Sequence, residues 1–168
     1  MHFDILSSLE QINKDVGVFG KISFIPRSPI LLENGASQTL STYALFGIYL
    51  LVEKHPDWNV PLAVYEGELF YVGKTNTNVH ERIKSHFGLA NMQSTFENHR
   101  WNSVPSISSD LKVKLGSGSV VLYCIEVQCE NHQCKEAALN ILPEMVEKHL
   151  LLLFALKFGR LPYLNLQF

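Results

Sequence analysis

Two apolar runs rich in aromatic and branched side chains, Tyr43 to Val52 and Leu69 to Val72, lie close together in the chain, and a polar loop and a helical pattern follow them. Side chains of this kind suit the pleated, half-buried surface of a sheet, so both runs are predicted to be strands. The first contains Gly47-Ile48-Tyr49, and the second leads into Tyr71-Val72-Gly73-Lys74. Thr75-Asn76-Thr77-Asn78 then reads as a loop. Asn78, with Glu81 three residues on, predicts an N-cap and its capping partner. The helix that follows is expected to carry Val79, Ile83 and Phe87 on one side. Arg82 and His86, four apart, would share a neighbouring face above the sheet.

A chain of 168 residues has room for one domain with a sizeable core. With 46% apolar and 18% charged residues it is ordinary globular material. The run Leu150 to Leu156 is far shorter than the roughly 18 apolar residues that a bilayer crossing needs. Met1 to Asn13 is mixed in charge and lacks the apolar block of a secretion signal, so a cytoplasmic location is expected. The net charge of -2 weighs mildly against a nucleic-acid partner. A basic face is nonetheless available in Lys74, Arg82, Lys84, Arg100, Lys112 and Lys114. Cys124, Cys129 and Cys134, with His132 between the last two, lack the paired spacing of a structural zinc site, and reduced cytosolic thiols are the better reading.

Along the chain, Phe3, Ile5, Leu6, Leu9 and Ile12 fall at helical spacing and predict a short amphipathic helix. Val16 to Phe24 reads as one or two short strands. Pro26 to Pro29 interrupts regular structure before Ile30-Leu31-Leu32, and Glu33-Asn34-Gly35 is a turn. This leader of residues 1–44 either packs on the sheet or reaches out as an arm toward a substrate; its apolar content favours packing. Leu62 to Tyr65, a turn at Glu66-Gly67 and Glu68 to Val72 suggest a hairpin, with an extra strand between the two motif strands thickening one edge. Residues 88–118 are polar and read as a surface insertion, in which Arg100 and Trp101 are suited to hydrogen bonding and stacking on bases. Val120 to Val127 alternates as a strand, with Val121, Tyr123, Ile125 and Val127 on one side.

The last helix is predicted to begin near Pro143, a residue suited to the first turn, with Glu144 complementing the dipole and Gly159 closing the far end. Glu147, Leu151, Phe154 and Phe158 share one face of it. A half-buried carboxylate there needs either a metal ion or a cationic partner such as Arg82. Glu144 and Lys148 have the spacing of an exposed ion pair.

Taken in order, Gly47-Ile48-Tyr49, Tyr71-Val72-Gly73, Arg82, His86, Glu147 and Asn165 resemble the GIY-YIG nuclease domain, with residues 45–87 as its motif core and 119–168 as its closing strand and helix. The resemblance implies an α+β fold, a small antiparallel sheet flanked by helices. It also implies an endonuclease that hydrolyses DNA phosphodiesters with Mg2+ or another divalent cation such as Mn2+. In such an enzyme Tyr49 would serve as base, Tyr71 and Lys74 would support it, Arg82 and His86 would hold the phosphate or move a proton, and Glu147 would bind the metal. Asn165 would brace the site and, with Arg100 and Trp101, stand on the DNA side. With no separate targeting domain in the chain, the pattern looks most like the small restriction endonucleases of that family. Cutting both strands of double-stranded DNA at a symmetric site then calls for a homodimer. The alternatives are a structure-specific repair or recombination nuclease, or a non-catalytic nucleic-acid or protein-binding module that keeps the fold.

Overall fold

The computed structural model describes residues 2–16, 22–32, 47–56, 58, 63–65, 69–76, 78–87, 109, 113–114, 117–129 and 135–165. The elements are β1 (His2–Asp4), α1 (Ile5–Val16), β2 (Ile22–Pro26), β3 (Ile30–Leu32), β4 (Gly47–Glu53), β5 (Ala63–Tyr65), β6 (Leu69–Thr75), α2 (Val79–Phe87), β7 (Val120–Cys129) and α3 (Lys135–Phe158). A five-stranded antiparallel sheet runs β2-β7-β4-β6, and β3 also pairs with β7. The chain is therefore α+β, as the sequence predicts.

β4 and β7 are the central strands, and helices cover both of their faces. Their near-continuous apolar runs follow from that position, since neither face meets water. On the first face, Ile48, Leu50, Val52, Val121, Tyr123, Ile125 and Val127 pack against Ile5, Leu9 and Ile12 of α1 and Leu142, Val146, Leu150, Leu151 and Phe154 of α3. On the second face, Tyr49, Leu51, Phe70, Tyr71, Leu122 and Cys124 pack against Val79 and Ile83 of α2 and against Leu164.

The N-terminal leader packs onto this sheet. β2 and β3 lie end to end along one edge of β7, and between Pro26 and Ile30 three residues of the leader stand against two of β7. The Pro26 to Pro29 segment absorbs the extra residue as a bulge.

Three boundaries differ from the sequence expectation. Phe3 belongs to β1 rather than to the first helix, and Asp4 caps that helix, its carboxylate accepting the Ser7 N–H at 3.0 Å. β5 does not thicken the main sheet, because it pairs with β1 in a separate two-stranded ribbon, and β4 pairs directly with β6. α3 starts at Lys135, so Pro143 sits inside it rather than in its first turn. An interior proline has no N–H for the carbonyl four residues back, and in the same turn the Asn76 amide donates to the Asn140 carbonyl at 3.2 Å. The far end closes as expected: Gly159 adopts φ 71°, and its N–H meets the Ala155 carbonyl at 2.8 Å. The described residues contain no helix long and apolar enough to cross a membrane.

Tyr43 to Phe46, the Glu33-Asn34-Gly35 and Glu66-Gly67 turns, Arg100, Trp101, Lys112, His132 and Cys134 lie outside the described residues.

Candidate active site

The register of β4 against β6 builds the centre of the site. Tyr49 stands directly opposite Gly73, and the pairing slips by one residue between Leu51 and Val52. The slip places two consecutive aromatics, Phe70 and Tyr71, in the second-face cluster, where strict alternation would have sent one away. Tyr71, two residues before Gly73 and opposite Leu51, reaches the same face as Tyr49 by ordinary alternation, with ring centroids 5.9 Å apart. Gly73 lies beneath both rings. A Cβ there would come within 2.5 Å of Tyr49 Cζ and 2.6 Å of Tyr71 Cε1. Gly47 is needed for a different reason, since a Cβ there would sit 2.0 Å from the Ile125 carbonyl oxygen on the neighbouring strand.

α2 closes over this pair. Asn78 caps it, its side-chain oxygen accepting the His80 N–H at 2.8 Å, while Glu81 turns to Lys84 at 3.1 Å. Val79 and Ile83 are buried as expected, and His86 continues their stripe at i, i+4 and i+7. Its ring is 4% exposed and lies 5.2 Å from the Tyr71 ring, edge to face. The Tyr49 hydroxyl and His86 Nε2 are 2.5 Å apart. His86 therefore does not share an outward face with Arg82, which is exposed on α2.

Several of the predicted residues act electrostatically on the Tyr49 hydroxyl. Burial raises its pKa well above the ordinary phenol value. Tyr71 raises it further through its charge and a hydrogen bond, and Glu147 also raises it. The Arg82 guanidinium pulls the other way. Arg82 and Glu147 thus both lie within electrostatic reach of one phenol, although Glu147 belongs to a helix whose buried stripe packs on the opposite face of the sheet. Since burial dominates, Tyr49 stays a neutral hydroxyl at ordinary pH.

Two predicted residues have other duties. The Lys74 ammonium meets Glu144 of α3 at 2.5 Å, and Lys148 meets the same carboxylate at 3.3 Å. These two lysines hold the Glu144 carboxyl below its usual pKa, the hydrogen bond from Lys74 having the largest effect. Strand alternation points Lys74 away from the Gly73 side, so it is a tie between β6 and α3 rather than a partner of Tyr49. Asn165 is 7% exposed, and its side chain serves the Val72 backbone twice, accepting from the N–H at 2.9 Å and donating to the carbonyl at 2.8 Å. The Leu164 N–H donates to the Phe70 carbonyl at 2.8 Å. Together these contacts close the outer edge of β6 on either side of Tyr71. Asn165 is a brace, and its amide is not placed to touch DNA.

Among the described residues no three His, Cys, Asp or Glu side chains are grouped to hold a metal. The half-buried carboxylate of Glu147 lies within electrostatic reach of the phenol. That donor set suits a hard cation such as magnesium, which keeps most of its water and takes the rest of its ligands from a substrate phosphate. Cys124, which burial pushes up to about 12, is a core thiol.

Sequence reasoning overlooked the burial of His86 and the aromatic pair created by the slip at Phe70. The first had a signal in the Val79, Ile83, His86 spacing; the second had none, because a bulge is set by pairing. No protein-family model matches the chain, and neither the curated proteins nor the solved structures give a significant match.

Proposed function

We propose that this protein is a divalent-metal-dependent endonuclease that hydrolyses DNA phosphodiester bonds, as its resemblance to the GIY-YIG nucleases implies. One observation carries the reading: a phenol bonded to an imidazole lies within electrostatic reach of both an exposed guanidinium and a half-buried carboxylate.

Each residue then has a task that its surroundings allow. Arg82 forks onto the non-bridging phosphate oxygens and offsets the charge that grows on them. Because its pKa is raised, Tyr49 works as a neutral hydroxyl and not as phenolate. It takes a proton from the attacking water while its own proton passes to His86 Nε2, which requires the tautomer with Nε2 unprotonated. Tyr71 and Gly73 fix the position of the phenol, and Asn165 fixes the strand that carries them. Glu147 would hold a magnesium or manganese ion, which supplies Lewis-acid stabilisation of the phosphate and the leaving oxygen. A restriction-type enzyme cutting both strands of a symmetric site would act as two copies.

The test is cleavage of supercoiled plasmid with magnesium. Wild type nicks or linearises the plasmid, and Arg82→Ala and Glu147→Ala each slow it by about 100-fold or more. Absence of cleavage on plasmid and on branched DNA, with magnesium or manganese, would refute the proposal.

A second reading, a non-catalytic nucleic-acid or protein-binding module, draws on the complete burial of Tyr49. A tethered core phenol has the same appearance. DNA binding without cleavage would favour it.

A further inference from the structure

α3 carries two apolar stripes, and the fold uses one. Leu142, Val146, Leu150, Leu151 and Phe154 are buried against the sheet and α1. Ile141, Met145, Leu152 and Leu156 are 56%, 41%, 45% and 74% exposed. These four fall on one face of the helix, with the aliphatic stem of Lys148 between the middle two. The second stripe is left open to solvent, which a helix apolar on two sides does not ordinarily leave uncovered.

The spacing identifies the occupant. Met145 and Leu152 stand equally far from a point midway between Lys148 and His149, and so do Ile141 and Leu156. An antiparallel copy of the same helix, related by a twofold axis through that point, sets Met145 against the partner copy's position 152 and Ile141 against its position 156. A stripe that reads the same in both directions meets the requirement of an isologous interface, in which one patch must complement itself. The rim is compatible. Glu144 and Lys148 flank the stripe and pair at 3.3 Å, and Lys74 meets the same carboxylate at 2.5 Å, so the rim carboxylate already has its cationic partners within each copy.

We infer that the exposed face of α3 is a homodimer interface, with two copies of this chain packed antiparallel through Ile141, Met145, Leu152 and Leu156. The inference does not depend on the nuclease reading. From the exposed fractions, the four side chains offer on the order of 400 Å² per copy, or about 800 Å² for the pair. That lies at the low end for specific association, so the dimer is a weak one that dissociates on dilution. Because Glu144 and Glu147 lie on the same helix, the interface also fixes the spacing of two copies of the candidate site.

Sedimentation velocity over a concentration series tests this. Wild type is expected to move from the mass of one chain to twice that mass by about 100 μM. Met145→Lys and Leu152→Glu should each remain monomeric there, with unchanged circular dichroism, since both positions are solvent-facing. Mixing these two variants should restore the dimer, because the introduced lysine of one copy meets the introduced glutamate of the other. A monomeric wild type, or a dimer that survives both single substitutions, overturns the interface. Failure of the mixture to associate overturns the antiparallel register.

Discussion

Gly73→Ala probes the register that places both tyrosines over one residue. The added methyl carbon would lie 2.5 Å from Tyr49 Cζ, 2.6 Å from its hydroxyl oxygen and 2.6 Å from Tyr71 Cε1. Ordinary carbon contacts need about 3.5 to 4.0 Å, so both rings must retreat by about 1 Å at once. Neither has room: Tyr49 is fully buried and Tyr71 is 3% exposed. Retreat of Tyr49 also breaks its contact with His86 Nε2. Overpacking of this kind costs about 1 to 3 kcal/mol, and the lost hydrogen bond adds about 0.5 to 1.5 more. A loss near 3 kcal/mol lowers the melting temperature of a domain this size by about 6 to 12 °C. Differential scanning calorimetry measures it, and the His86 ring resonances report the broken contact. A melting temperature within about 2 °C of wild type, with those resonances unmoved, would refute the placement of Gly73 beneath the rings.

Asn165→Ala strands the N–H and carbonyl of buried Val72, a cost of about 3 kcal/mol that calorimetry should register as a fall of roughly 6 to 12 °C. Stability should also fall as the solution becomes alkaline. The Cys124 thiol ionises near 9 when unfolded and only at about 12 when folded, so its contribution is complete below pH 9 and is lost as pH rises toward 12. Tyr49 acts in the same direction above its unfolded value of 10. Urea melts of wild type between pH 8 and 11 should show this decline, and Cys124→Ala should flatten its lower part. Gly159→Ala has open space around it but must hold φ 71°, so backbone strain of about 1 kcal/mol is the whole expected effect.

What the sequence made legible was local. The Val120 to Val127 alternation, the Asn78 cap, the Glu144 and Lys148 pair and the Gly159 stop are each written within a few residues, and each is present. The failures came where distant segments decide. β1 and β5 are about sixty residues apart in the chain, and nothing in either names the other. Pro143 lies inside α3 instead of in its first turn, because the helix begins at Lys135. The candidate site shows the same division. Tyr49, Tyr71, Arg82 and Glu147 could be named from type and order. That His86 rather than Lys74 partners the phenol depends on which way the β6 pleat faces, and that is fixed by pairing with β4.

Tyr49→Phe is the most direct test of the central claim, because it keeps the ring that fills the space above Gly73 and removes only the hydroxyl. Single-turnover cleavage of duplex DNA with saturating magnesium, measured beside the melting temperature of each protein, separates chemistry from folding. The account predicts cutting by wild type and a loss of about 100-fold or more in the variant, with its melting temperature lowered by only a few degrees. Equal cleavage rates for the two proteins would contradict it.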